Sequence, residues 1–501
     1  VKFPTRAVAL AAAALLAVTA CSAGSSTSSG SSPGGGQNLA IGLVAEPASL
    51  DFTTTDGAAI PQALLGNVYE TLVKQDDSGK IVPSLAKSWQ VSPDRKTYTF
   101  DLVDNAKFTN GKQFTASDAV FSINRVKTAW TISLKSAMDV VADAKALSPT
   151  QLQVTLAKPS NDWLFRMTTR IGAMFSESGV SALATDPVGT GPFKFSKWNR
   201  GDSIVLVRND GYWGTKPNFA QITLKYFKDA TALNNALLTS TINVIGTVQA
   251  PEALSQFTSN SKYQVIEGTT NGEVLLSFNN SRPVFKDIRT RQAIRMAIDH
   301  KALLDTCWAG RGKLIGSMVP PTDPWYEDLT GVAPYDLAKA KSLLQASGAA
   351  GKTLRLRLPT LPYATSCGQV VKSDLEQAGL KVQIDQLEFP AAWLTTVFKN
   401  ADYDMSIIAH VEPRDLGAVF GNPKYYTRYD DPTLQADLAA ADAGDEATQV
   451  ADLKKAARRI SEQAAGDWLF LLPNLMVADK DIKGLPTNAI TEAFDLSQLS
   501  R

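Results

Sequence analysis

Side chains able to do covalent or metal chemistry are scarce in this sequence, which holds three cysteines and two histidines in 501 residues. His300 and His410 are far apart in the chain and belong to no Cys/His cluster, so the spacing offers no dedicated zinc or nickel cage. Ser84-Leu-Ala-Lys87 and Ser259-Asn-Ser-Lys262 both fit Ser-x-x-Lys, but neither Ser-Asp-Asn nor Lys-Thr-Gly accompanies them, so both read as chance matches. Gly189-Thr190-Gly191 lacks the Gly-Lys-Ser/Thr end of a phosphate loop, and no Gly-x-Ser-x-Gly elbow occurs from Leu39 onward. The residues therefore point to binding, with an extracytoplasmic hydrolase as the weaker alternative class.

Cys21 has the clearest chemistry. Lys2 and Arg6 precede an apolar run from Ala7 to Ala20. As a helix the run would be roughly 21 Å long, short of the ~30 Å needed to span a bilayer, so 1–20 reads as a signal peptide. Leu16-Ala17-Val18-Thr19-Ala20-Cys21 resembles a lipobox, with an aliphatic residue three before the cysteine and small residues beside it. The expectation is cleavage before Cys21 and acylation of its thiol, several chains together giving a stable membrane anchor. No later stretch reads as a spanning helix. Ser, Gly, Thr and Ala dominate from Ser22 to Gln37, a composition that cannot bury a core, and 21–38 reads as a flexible tether averaging roughly 22 Å end to end.

Charge narrows the partners further. Lys and Arg number 50 against 49 Asp and Glu, and loss of Lys2 and Arg6 with the leader brings the basic count just below the acidic one. No net field would draw nucleic acid or an anionic membrane surface. Nine Trp, 20 Phe and 12 Tyr supply apolar bulk for cores and for pocket walls.

Elements of both kinds must position whatever site exists. Ser88-Trp89-Gln90-Val91 and Thr97-Tyr98-Thr99-Phe100-Asp101-Leu102 flank a Pro-Asp turn and read as a β-hairpin. Thr115 is placed to cap a helix through Arg125, with Asp118 in its first turn. The period of Asp287–Asp299 predicts a helix with Ala293, Ala297, Ile294 and Ile298 inward and Arg289, Arg291 and Arg295 toward solvent. Asp299 and Asp336 are placed to start further helices, Gly348 to end the second, and a helix at Cys367–Ala378, stopped by Gly379, precedes a strand at 381–387. The fold class is α/β.

The ordered set Pro83–Asp94, Tyr98-Thr-Phe100, Lys107-Phe108, Asn110-Gly111, Thr115–Asp118, Val188-Gly-Thr-Gly-Pro-Phe193, Trp198, Val207-Arg-Asn209, Tyr212-Trp-Gly214, Phe278-Asn-Asn280, Phe285–Ile294, Ala297-Ile-Asp299, Tyr335-Asp336, Ala340 and Leu343-Leu344 resembles family five of bacterial solute-binding proteins. This is the oligopeptide, dipeptide and nickel class. The resemblance implies a two-lobed, type II periplasmic-binding-protein-like fold that closes around solute, with an extra domain inserted into the first lobe. It places lobe I at 39–59, 179–268 and 472–501, the inserted domain at 60–178 and lobe II at 269–471. It further implies a lipid-anchored binding protein that hands a solute, foremost a short peptide, to the permease subunits of an ABC importer. A metal chelate, a sugar or another small solute are the alternative ligands, and presentation of ligand to a membrane sensor the alternative role. No cofactor is implied.

Within that resemblance, Glu412 and Asp415 match an acid pair that receives a peptide ammonium, with Glu in place of the usual first Asp and Arg414 placed to neutralise the pair instead. Glu46, Tyr69, Asn279 and Trp393 match positions near the cleft, each equally suited to a turn or core. His410 is the one candidate protein ligand for a chelated metal, whereas His300 reads as helix surface. Cys307 and Cys367 fall in one lobe and in an oxidising compartment, and are expected to form a disulfide. Replacing Cys21 with Ala in the full-length precursor is expected to move the protein from the membrane pellet to the soluble fraction. Retention in the pellet through detergent-free washing would contradict acylation at this residue.

Overall fold

The computed structural model describes residues 37–501, so Cys21, the expected signal peptide and all but the last two residues of the expected tether lie outside the described residues. Among the described residues no helix is long and apolar enough to cross a membrane. The described residues form one compact unit. Structure begins at Asn38, inside the expected tether, where Asn38–Leu43 joins a sheet alongside Gln221–Tyr226.

That sheet has ten strands and curls through the whole body. Its order is Lys381–Leu387, Thr353–Pro359, Met405–His410, Tyr263–Phe278, Gly466–Asp479, Val244–Ile245, Asn38–Leu43, Gln221–Tyr226, Ser203–Arg208 and Phe193–Asn199. Tyr263–Phe278 and Gly466–Asp479 run antiparallel at its centre and pass from one half to the other. Their register slips between Thr269 and Glu273. An unpaired stretch of ladder leaves backbone groups to satisfy, and the Thr270 hydroxyl fills in. It accepts the Gly272 N–H at 2.7 Å and donates to the Leu472 carbonyl at 2.7 Å. The two halves thus meet at a break in the hydrogen-bond ladder.

On the first side, an antiparallel sheet of Ala86–Val91, Thr97–Leu102, Gln151–Leu156 and Val141–Ser148 lies within the span expected for the inserted domain. The helix Ala116–Ala129 covers it with Ala116, Ala119, Ile123 and Val126. Its start is closed reciprocally, the Asp118 carboxylate accepting the Thr115 N–H at 3.0 Å. The buried side chains of this span merge with those of the neighbouring lobe into one continuous core, through Phe52, Tyr69 and Phe175.

On the second side, a core centred on Leu356, Ile407 and Leu276 is packed by helices Ile288–Ala297, His300–Trp308, Leu337–Ala346 and Pro362–Gln377. Asp287, Asp299 and Asp336 cap three of these through the backbone N–H groups of Arg289, Ala302 and Lys339. Two expectations are corrected here. Arg291 and Arg295 are buried, not solvent-facing. Arg291 donates to the carbonyls of Gln463 and Ala464, and Arg295 to Ser461 and Asp467, so both satisfy groups where the helix Glu446–Glu462 ends and its chain re-enters the sheet. His300 is not free helix surface either, because its Nε2 lies 2.9 Å from the fully buried Asp467 carboxylate.

Cys307 and Cys367 are joined by a disulfide, with Cα atoms 5.0 Å apart and 60 residues of separation. The bridge links the end of His300–Trp308 to the first turns of Pro362–Gln377 inside the second core. Closing a loop of this length should stabilise the folded state by roughly 4 kcal/mol in the chain-entropy account. A Cys307→Ala, Cys367→Ala double variant is expected to unfold at a clearly lower urea concentration, with thiol labelling of denatured, unreduced wild type finding neither cysteine free. An unchanged midpoint, or two reactive thiols, would contradict this.

Candidate functional site

A cavity of about 590 Å³ sits at the break between the two halves. Thr270, Asn271 and Gly272 from one crossing strand and Leu472 and Pro473 from the other form part of its wall. Trp308 and Tyr363 present a further apolar wall, ring centroids 6.3 Å apart and nearly perpendicular. These two residues stand on the helices that the disulfide joins, so the covalent link fixes the wall.

One end of the cavity is ionic and gathers distant parts of the chain. Arg170 opens a short 3-10 turn, Arg170–Gly172, after the helix Asn161–Arg166. The turn is tight enough that a Cβ on Gly172 would lie 2.1 Å from the Met167 carbonyl oxygen, which only glycine avoids. Glu492 arrives on the chain after the last sheet strand, where Ala489 bonds to the Thr269 carbonyl and Asn271 donates to Ile490. Glu412 stands two residues beyond Met405–His410. Arg170 is fully buried. Its Nε and Nη2 donate to Glu492 Oε1 at 3.0 and 2.8 Å, Nη2 also to Glu412 Oε1 at 3.1 Å, and Nη1 to the Gly57 carbonyl at 3.2 Å. The Arg170 N–H also donates to Glu492 Oε2 at 2.8 Å.

Electrostatics follow from that geometry. Burial works against charge on Arg170, but Glu492 and Glu412 outweigh it and hold its proton more firmly than usual. Burial would likewise raise Glu412, yet Arg170 and then His410 keep its carboxyl below the usual range. Glu412 therefore remains ionised while retaining 28% side-chain exposure, and its Oε2 accepts no hydrogen bond among the described residues.

Of the residues singled out in the sequence, Glu412 and Glu46 line the cavity. Glu46 Oε1 accepts from Trp198 Nε1 and from the Gly201 N–H, both at 2.8 Å, so it also pins a loop to the neighbouring hairpin. The other five are not in the wall. Asp415 is buried behind Glu412 at the start of the short helix Leu416–Phe420, its Oδ2 3.4 Å from His410 Nδ1. Burial pushes the Asp415 carboxyl up, His410 opposing and Glu412 adding to the rise. His410 stacks on Tyr426 and its Nε2 meets the Tyr426 hydroxyl at 2.8 Å. Trp393 belongs to an aromatic cluster with Phe389, Phe398 and Tyr426, its Nε1 donating to Ser406. Tyr69 is core, packed on Phe52 and Phe175. Asn279 ties a strand end to the carbonyls of Ala401 and Tyr403. These three serve packing and turns because their polar atoms are spent, or covered, within the body.

Arg170, Glu492, Asp56, Trp308 and Tyr363 line the cavity without having been singled out in the sequence. No local pattern marks them: Arg170 and Glu492 meet across 322 residues. His410, Glu412 and Asp415 together offer ligand atoms within 4.8 Å of one another, a spacing compatible with one metal ion.

Beyond Glu412 a polar seam continues. Arg166 donates to the carbonyls of Pro413 and Arg414 at 3.2 and 2.8 Å. Arg414, held with a left-handed backbone, lays its guanidinium 3.8 Å from the Phe165 ring centre and 4.8 Å from that of Trp325. Asp323 lies beside it at 4.0 Å.

The comparisons with known proteins agree with this architecture. Residues 80–430 match the model for the bacterial extracellular solute-binding proteins, family 5. The chain belongs to that family. It is 32% identical over 354 residues to the nickel-binding periplasmic protein of Escherichia coli, covering 63% of this chain and 65% of that relative's length. It is 25% identical over 371 residues to the dipeptide-binding protein of the same organism, covering 67% and 68%. The fold matches a periplasmic binding protein from Helicobacter pylori in complex with the peptide STSA, with TM-score 0.85, 23% identity and coverage of 93% and 98%. A Campylobacter jejuni protein in complex with Ni(L-His) matches with TM-score 0.80, 20% identity and coverage of 93% and 99%. The body is a type II periplasmic-binding-protein fold.

Burial pushes the Asp323 carboxyl up to about 6, Arg414 opposing and Asp415 adding. The folded chain thus holds this proton more tightly than the unfolded chain does. Its contribution to stability is complete below about pH 4 and is lost as pH rises through about 6. Asp323→Asn, which stays neutral, is expected to gain on wild type by roughly 3 kcal/mol between about pH 4 and pH 7 in urea unfolding. A pH-independent difference would contradict the burial of this charge.

Proposed function

We propose that this protein is the solute-capturing lipoprotein of an ABC importer, and that it holds a short peptide in the cavity between its two halves. The observation that carries the reading is the cavity itself. Aromatic walls from Trp308 and Tyr363 stand with an ionised carboxylate, Glu412, whose Oε2 is uncommitted. A desolvated ammonium needs such a counter-charge, and the volume falls within the ~300–1,000 Å³ usual for small-molecule sites. The peptide-bound Helicobacter pylori protein and the dipeptide-binding relative support the choice of ligand. In this reading the peptide ammonium faces Glu412, while Asp415 stiffens the turn from behind through His410. The permease subunits would take the peptide when the halves separate at the Thr269–Glu273 break, and the Cys21 acyl chains would hold the body at the membrane.

A nickel chelate is the second reading, favoured by the His410, Glu412 and Asp415 cluster and by the nickel-binding relative. His410 would offer Nδ1, which faces Asp415, while its Nε2 keeps the Tyr426 contact. Calorimetry separates the two, with tri-alanine titrated in one arm and Ni²⁺ with L-histidine in the other. For the peptide, Glu412→Gln is expected to cost about thirtyfold to several thousandfold in affinity, since it removes the counter-charge of a buried cation. N-acetylation should cost wild type a similar factor and the variant little more. Equal affinity for free and acetylated peptide would overturn ammonium capture, and tight binding of the chelate alone would favour the second reading.

A further inference from the structure

The charge lining the cavity is lopsided. Glu46, Asp56, Asp76, Asp77, Glu412, Glu492 and Asp495 contribute carboxylates to the wall, and Arg170 is the one basic side chain there among the described residues. Arg170 is fully engaged: Glu492 holds two of its nitrogens, Glu412 shares one, and the Gly57 carbonyl takes another. Nothing cationic in the wall is left to receive a carboxylate from a solute. At the ionic end Glu412 and Glu492 together carry one more negative charge than Arg170 neutralises, and Asp56 adds another.

Asp56 differs from the other half-buried acids of the wall in having no side-chain hydrogen bond and no ion pair within 4.0 Å among the described residues. It is fixed in place from the next residue, because Arg170 Nη1 grips the Gly57 carbonyl. Burial pushes its carboxyl up, with Arg170 pulling it back and Glu412 adding to the rise, as expected of a charge with no direct partner. A desolvated carboxylate in this position is costly until a cation meets it.

We infer that the cavity selects solutes of net positive charge that bring no free carboxylate to it, and that Asp56 is the specificity-determining acid that receives the excess charge. This rests on the proposed solute-binding reading and narrows it. A zwitterionic tripeptide would place its carboxylate in a wall of like charge, whereas a peptide amide, or a linear polyamine, would not. At a few ångströms and an effective dielectric near 20, one such like-charge contact is worth a tenfold or larger difference in affinity.

The test uses the mature chain, unfolded and refolded to strip co-purified solute. Four probes are titrated by calorimetry: tri-alanine, tri-alanine amide, Lys-Ala-Lys amide and spermidine. The amide is expected to bind at least about tenfold more tightly than tri-alanine, and Lys-Ala-Lys amide more tightly still. Asp56→Asn should erase most of that preference while leaving the unfolding midpoint within a degree or two of wild type. Binding of spermidine without any peptide would sink the peptide reading and leave the charge selectivity standing. Tri-alanine binding as tightly as its amide, an undiminished preference in Asp56→Asn, or no binding by any cationic probe would each overturn the inference.

Discussion

Three stretches of chain that lie far apart in sequence converge on the guanidinium of Arg170, and the ionic end of the cavity exists because they do. Arg170 comes from the short turn after Asn161–Arg166, Glu492 from the C-terminal segment and Glu412 from the far side of the central strands. A buried ion pair is weak evidence of stability in itself, since desolvation of the partners offsets much of their attraction. Its geometry is what matters here. Glu492 spans Nε, Nη2 and the backbone N–H of Arg170, so the guanidinium has one orientation and presents its remaining edge to Glu412. Loss of Arg170 would leave two acids facing each other in a partly dry space, with nothing to hold the halves in this register.

The opposite wall is held by different physics. Trp308 and Tyr363 need no charge to position them, because their helices are packed on the second core and bridged by Cys307–Cys367. Between the two walls the strands Tyr263–Phe278 and Gly466–Asp479 supply continuity, with the Thr270 hydroxyl carrying the hydrogen bonds that the slipped ladder drops. Rigid material thus flanks a crossing where backbone pairing is thinnest. That is where torsions change at least cost when two packed bodies rotate about shared strands.

Much of the scaffold was legible from local pattern. The hairpin of Ala86–Val91 and Thr97–Leu102, the Asp caps at 287, 299 and 336, and the strand Lys381–Leu387 all rest on interactions spanning a few residues, which sequence records directly. The cavity was legible only in part. Glu412 and Glu46 follow strand ends, where chain leaves a sheet toward its edge of function, but Asn279 shares such a position and turns inward, and Tyr69 and Trp393, beyond the helix Ala59–Leu64 and in the helix Ala391–Trp393, pack into the body. Periodicity placed Arg291 and Arg295 toward solvent because it counts them as charges. The structure uses them as long donors to the carbonyls of residues 461–464, a demand set by tertiary contact. Arg170 and Glu492 were invisible for the same reason, since their pairing exists only once the C-terminal segment runs along the central strand.

The seam between the halves is built largely from groups that water can satisfy equally well. Beside the cavity, residues 95–166 and 413–444 are joined by hydrogen bonds, Arg95 and Asn161 donating to the carbonyl of Gly444, Ser160 to Asp442, and Arg166 to Pro413 and Arg414. Each trades protein for water at a net of about 1 kcal/mol, unlike an apolar seam, whose exposure costs in proportion to its area. These hydrogen bonds therefore add little intrinsic preference for staying together. In the proposed reading a solute touching both sides would supply the difference, through contacts with Glu412 on one side and the Asp56 and Glu492 end on the other. Arg170 already stands between Glu412 and Glu492, but these two acids and Asp56 outnumber it, so closing Glu412 onto this end leaves negative charge that only a further cation would offset.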